Sequence, residues 1–196
     1  MEEDIGSRIS EFRVVSTGDD APAQLGAIED FINQGFDAIV TIAVAPEGFD
    51  RVIRLADQND VVIVPFDNVL DTRAVMQVNE DQLEMGRTWA QFIVDELAAQ
   101  GKTSGRLLEV RGLAGNSVDR DRSLAIHEVL DASGGDWDVV QVVGNWDDGT
   151  AQRVTADAIA VHGSFDALLV QGGTTGAVQA LMDAGHHFVP VAGESE

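Results

Sequence analysis

Cysteine and tyrosine are absent from this 196-residue chain, lysine occurs once, at Lys102, and aromatic residues make up 6% of it. Without cysteine there is no disulfide, no thiolate nucleophile and no thiolate metal site, so the core alone must hold the fold, and the redox compartment stays open. No uninterrupted apolar run reaches the roughly 18 residues that a membrane span requires, so a membrane-inserted helix is not expected. No charged-then-apolar leader follows Met1. Bases are also scarce: 12 Lys and Arg stand against 34 Asp and Glu, for a formal charge of -22. Such a field repels phosphates, which excludes nucleic acid as a partner. The acidic residues are spread along the chain instead of forming a tail, as on a solvated surface suited to high salt.

What is present is a globular composition, 44% hydrophobic, long enough for one large or two small domains. Short β-branched runs alternate with amphipathic stretches. The runs read as strands are Arg13 to Ser16, Ala38 to Ile42, Val61 to Pro65, Val75 to Val78, Arg106 to Val110, Val139 to Val143, Ala167 to Val170 and Phe188 to Ala192. Between them, Phe49, Val52, Ile53 and Ala56 share one helix face, and Met85, Trp89, Phe92, Ile93 and Leu97 another. Strands separated by single helices imply right-handed crossovers and parallel sheets covered on both faces.

An internal echo bears on the number of sheets. Phe36-Asp37-Ala38-Ile39-Val40 recurs as Phe165-Asp166-Ala167-Leu168-Leu169, each copy followed by a helix, a strand with Val and Pro, and a carboxylate at Asp67 or Glu194. One open sheet accommodates the pattern; the repeat points to two doubly wound α/β lobes, residues 1–80 and 81–196, joined near Asn79 to Gln82. Such sheets bind ligands beyond the carboxyl ends of their strands. Facing lobes would bring Pro65 to Asn68, Gly112 to Arg122, Asn145 to Asp147, Gln171 to Thr175 and Gly193 to Glu196 to one cleft. These segments are rich in groups that hydrogen-bond hydroxyls or stack on a flat face.

Other motifs carry little. Gly172-Gly173-Thr174-Thr175-Gly176 lacks the Lys-Ser/Thr ending of a phosphate loop, and a tight strand-to-helix turn explains its glycines. Gly115-Asn116-Ser117-Val118-Asp119 lacks the last glycine of a nucleophile elbow, and Ser117 reads as a helix N-cap. His186 and His187 are neighbours without the spacing of a metal pair. No metal, cofactor or catalytic set is expected.

Ile28-Glu29-Asp30-Phe31-Ile32, Gln34 to Ile39, Val64-Pro65-Phe66-Asp67-Asn68, Gly112 to Ser117 with Arg120 and Arg122, Asn145-Trp146-Asp147, Gln171-Gly172-Gly173 and Val189 to Gly193 follow one another in an order and spacing that resembles the ribose-type periplasmic sugar-binding proteins of ABC importers. The resemblance implies two lobes closing on a monosaccharide or polyol, a membrane permease as partner, and an extracytoplasmic location. It also implies a set of contacts: Asp67 and Asn68 from the first lobe, Arg122 on the ring oxygen and hydroxyls, Trp146 stacked on the sugar, and Gln171 and Glu194 completing the second lobe. Asn68, Gly172 and Glu194-Ser195 stand where Arg, Asn and Phe-Asp are common in ribose binders, which argues against ribose itself. Against full-length members, Met1 to Ser10 resembles only the tail of a first helix, and the crossings expected after Glu196 are missing. The chain therefore reads as an internal fragment with an incomplete first lobe. Two alternatives stand beside this reading: the effector-binding domain of a lactose-repressor-type regulator, and a small α/β enzyme.

Overall fold

In the computed structural model the alternation of strand and helix patterns becomes two parallel sheets with helices packed on them; the structure describes residues 5–68 and 70–194. After a short 3-10 turn at Ile5–Arg8, the elements are α1 (Ala21–Gln34), β1 (Ala38–Thr41), α2 (Phe49–Gln58), β2 (Val62–Pro65), α3 (Gln82–Ala99), β3 (Ser104–Arg111), α4 (Ser117–Ala132), β4 (Asp136–Val143), α5 (Asp148–His162), β5 (Ala167–Val170), α6 (Thr174–Asp183) and β6 (Val191–Gly193). β1 and β2 form one sheet, and the other has the order β4-β3-β5-β6, with every pair parallel.

The period of two along a strand sorts the second lobe's core. Leu107 and Leu169 pack beneath α3 and α4 with Ala90, Ile93, Leu97, Ile126 and Leu130, whereas Leu108, Val110, Leu168 and Val170 face α5 and α6 with Ala151, Ala158, Ala177 and Leu181. Each such Leu or Val buried contributes about 1.5 to 3 kcal/mol. The buried stripe of α3 is Gly86, Ala90, Ile93 and Leu97, narrower than the sequence suggests, and Phe92 lies at the exposed side. Close approach is the reason: a Cβ on Gly86 would collide with the Arg122 carbonyl on α4.

The internal echo corresponds to equivalent strands. Ala38 to Thr41 pairs with Val62 to Pro65, and Leu168 to Val170 pairs with Val191 to Gly193, each a parallel neighbour reached through one helix. In the first lobe, Ile39 and Ile63 pack on Ile28 and Ile32 of α1 and Phe49, Val52 and Ile53 of α2. The opposite face of this sheet is open, with Val40 68% and Val62 57% exposed.

Three expected strands change. Arg13 to Ser16 is irregular, with Phe12 and Val14 exposed. Among the described residues no neighbouring strand accepts its ladder, and Arg13 instead donates to Gln34 Oε1 at 2.6 Å and lies 5.2 Å from the Phe36 ring centroid. Val75 to Val78 shrinks to an isolated bridge between Val78 and Phe66. Phe188 to Ala192 contracts to Val191–Gly193, since Phe188 is solvent-exposed and Pro190 has no N–H to give to a ladder.

Candidate functional site

In the second sheet β4 is added on one side of β3, and β5 and then β6 on the other, so the winding switches sides between β3 and β5 while all strands stay parallel. Crevices of this kind, at the carboxyl ends of the strands, are where doubly wound sheets bind ligands. Asn116 caps α4 above this crevice, its Oδ1 accepting from Val118 N at 2.8 Å. The cap is therefore Asn116 and not Ser117, which is already in the helix. Asp119, in the first turn, accepts from Arg111 Nε at 3.0 Å, Arg111 Nη2 at 2.6 Å and Gly112 N at 3.0 Å, tying α4 to the end of β3.

One turn further on, Arg122 is 3% exposed and ties α4 to three other elements. Its Nε donates to Gln82 Oε1 of α3 at 2.7 Å and its Nη1 to the Gln171 carbonyl beyond β5 at 2.9 Å. Glu194, beyond β6, pairs with Nη1 at 2.8 Å, and the guanidinium carbon lies 5.1 Å from the Trp89 ring centroid. A planar guanidinium with donors in fixed directions suits such a junction in a way that lysine does not.

Beyond β4, Gly144 to Asp147 forms a turn closed by Asp147 N to Gly144 O at 3.1 Å. Both central residues, Asn145 and Trp146, are left-handed, with φ of 56° and 57°. A bulky side chain in that region is uncommon and marks strain. In the first lobe, Asp67 is left-handed too, with φ of 65°. Asn68 N bonds Phe66 O at 2.8 Å, closing a γ-turn about Asp67 at the end of β2.

The lobes meet at Ala43 and Val44. Asn68 Nδ2 donates to the Ala43 carbonyl from within the first lobe, and Asn116 Nδ2 reaches across from the second to Val44 O at 3.1 Å and Ala43 O at 3.4 Å. Arg120 also crosses, 3.4 Å from Asp71. With two parallel sheets, a buried arginine junction and a polar bridge between lobes in place, the sequence matches the periplasmic binding protein domain over residues 3–194.

The chain belongs to that family.

It is 25% identical over 182 residues to the xylitol-binding protein of Mycolicibacterium smegmatis, an alignment covering 91% of this chain and 51% of that protein. It is 27% identical over 119 residues to the ribose import binding protein of Bacillus subtilis, covering 60% of this chain and 38% of that one. The chain thus spans about half of the length of the first of these relatives and less of the second. In fold it superposes on the crystal structure of a galactofuranose binding protein with a TM-score of 0.86 at 20% identity, covering 97% of this chain and 67% of the other.

Within this periplasmic binding protein fold the residues singled out from the sequence divide into two groups. Asp67 and Glu194 are exposed, and Trp146 is half-buried. Asn68, Arg122 and Gln171 are buried, at 6%, 3% and 0% exposure. The Gln171 side chain turns inward: Nε2 donates to the Asp119 carbonyl at 3.2 Å and lies 3.4 Å from Glu109 Oε1. Arg120 is exposed and bonds Asp121 at 2.7 Å.

Sequence reasoning missed Gln82, Asp119 and Glu109. Gln82 and Asp119 carry a recognisable local signal, a polar residue in the first turn of a helix. Glu109 has a weaker one, a lone carboxylate inside the apolar run Leu107 to Val110. It is fully buried, with Oε2 3.0 Å from His127 Nε2 and 2.7 Å from Gln141 Nε2. Burial is the largest influence on Glu109 and pushes its pKa up, but side-chain hydrogen bonds from His127, Gln141 and Ser123 and the His127 charge together bring it below the ordinary value. The same pairing with Glu109 raises His127 above its ordinary value. No group of three or more His, Asp or Glu residues is placed to hold a metal among the described residues.

Proposed function

We propose that this chain is the ligand-holding part of an extracytoplasmic receptor for a sugar ABC importer, binding a small neutral sugar or polyol between its lobes without altering it chemically. The lobes are residues 1–80 and 81–196, and a membrane permease receives the ligand. The observation that carries this reading is the junction of Arg122 with the Gln171 carbonyl and Glu194 beyond β5 and β6, beside the Asn116 bridge to Val44 of the first lobe; the reading adds Trp146 and Asp67 to that crevice. Asp67 and Glu194 offer acceptors for paired hydroxyl donors, Arg122 has donors in fixed directions, and an indole covers the apolar C–H side of a sugar ring. Asn68 and Gln171, whose side chains have inward partners, shape the site around these contacts. The relatives that bind xylitol, ribose and galactofuranose support the chemical class.

Isothermal titration against a panel of neutral pentoses, hexoses and polyols, with xylitol, ribose and galactofuranose included, tests the proposal. At least one member should bind, and Asp67→Ala should weaken it by about 1.5 to 3 kcal/mol, the worth of a charge-assisted hydrogen bond. Binding by none, or an isotherm that Asp67→Ala and Trp146→Ala leave unchanged, rejects the site.

A further inference from the structure

Gly112 and Gly172 occupy equivalent positions, each two residues beyond the paired Val110 and Val170 of β3 and β5. Neither has a positive φ, so backbone conformation does not call for glycine at either place. The indole of Trp146 does. A Cβ on Gly172 would come within 2.7 Å of Trp146 Cδ1 and 3.2 Å of its Cβ, and a Cβ on Gly112 would overlap the ring at Nε1, Cε2 and Cζ2. One indole therefore spans both strand ends, resting on two residues that lack side chains.

We propose that Gly112 and Gly172 form a seat that lays the Trp146 indole across the crevice between β3 and β5, so that the ligand rests on the indole and the seat sets the depth of the cleft. This rests on the binding reading above. Three further observations single out the same ring. Trp146 is held in the left-handed region behind Asn145, which is left-handed as well. Its Nε1 is buried without a hydrogen-bond partner. The turn that carries it starts at Gly144, where a Cβ would come within 2.7 Å of Val110 Cγ1, so the turn also lies tight on β3. A strained backbone and an unpaired buried N–H both oppose stability, and sites that keep such features are enriched in function. Gly173 is different: its φ of 77° at the N-cap of α6 makes it a conformational glycine, so the adjacent pair serves two separate purposes.

A methyl group at either seat position would lift the ring and make the cleft shallower. The experiment uses 5-fluorotryptophan-labelled protein, whose three tryptophans, Trp89, Trp137 and Trp146, give three fluorine resonances, with that of Trp146 assigned by Trp146→Phe. Gly112→Ala and Gly172→Ala should each shift the Trp146 resonance while leaving that of Trp137 in place. The control Gly149→Ala, in the first turn of α5, should shift none. Urea denaturation should show Gly172→Ala to be clearly destabilising in the native background and much less so with Trp146→Ala, where no ring remains to be displaced and only the contacts at 3.2 and 3.3 Å with Cβ and Cα of residue 146 persist. Against the same neutral sugar and polyol panel, the seat variants should lose about tenfold in affinity, the worth of one aromatic stacking contact, with the larger ligands losing most. An unmoved Trp146 resonance, or equal destabilisation with and without the indole, overturns the seat. A moved resonance with unchanged panel affinities overturns its role in setting the cleft. Binding of no panel member, even by the native chain, rejects the binding reading and that role together, while the resonances still judge the seat.

Discussion

Replacing Arg122 by alanine separates a surface ligand contact from a structural junction. As an exposed contact it would be lost with little change in stability. The structure gives another expectation, because the side chain is 3% exposed and its removal strands partners that water cannot easily reach. Gln82 Oε1 and the Gln171 carbonyl lose their donors at 2.7 and 2.9 Å. Each such unsatisfied group costs about 1 to 3 kcal/mol, and the contact with Trp89 is lost as well. Glu194 adds little, being half-exposed and open to hydration. The sum, about 3 to 5 kcal/mol, matches what breaking a buried charge cluster by removing one member costs. Against total stabilities of about 5 to 15 kcal/mol, the variant should fold but only marginally. Urea denaturation followed by far-ultraviolet circular dichroism reads this as a lowered midpoint, and the thermal midpoint should fall by roughly 6 to 20 °C. Arg122→Met, which keeps the volume and removes the charge, should recover part of the loss. A midpoint for Arg122→Ala within 2 °C of the native protein, on the order of less than 1 kcal/mol, would refute the junction.

Three more expectations follow from the same contacts. His127 is raised above its ordinary 6.5, so its contribution is complete below that pH and is lost as pH rises through the raised value; Glu109 is lowered from 4.5, so its contribution is complete above that value and is lost as pH falls through the lowered one. The pair therefore stabilises most between pH 4.5 and 6.5, and His127→Gln should remove the alkaline decline in a calorimetric pH series; parallel curves for the two proteins would contradict this. Asn116→Ala loses the cap on Val118 N and the contact with Val44 O, so it should cost about 1 kcal/mol and raise the radius of gyration in small-angle scattering as the lobes part, whereas an unchanged radius would argue against the bridge. With a charge of -22, self-repulsion should ease under screening, so the thermal midpoint should climb from millimolar to molar salt, and a flat series would remove the salt-adaptation reading.

What the sequence by itself determined is the part of the fold carried by period and repetition. Strands as short as Ala167–Val170, wholly apolar and flanked by helical patterns, have few alternatives to a parallel sheet covered on both faces, and the echo of Phe36 to Val40 in Phe165 to Leu169 shows in one dimension that one βαβ unit is used twice. The place proposed for the site comes from the same reasoning, since doubly wound sheets bind ligands beyond the carboxyl ends of their strands. Tertiary structure alone decided which strands found partners. Arg13 to Ser16 has the composition of a strand and forms none, because a ladder needs a neighbour and composition cannot supply one. It also decided which way the site residues turn. Gln171 and Glu194 look alike in sequence, each a polar residue just past a strand, yet Gln171 is wholly buried against Glu109 and Asp119 while Glu194 stays half-exposed over Arg122. The difference lies in what packs above each strand end: Gln171 follows the interior strand β5, beneath the first turn of α4, whereas Glu194 follows the edge strand β6. Burial at a strand end is a property of its neighbours, and those are brought together only by the fold.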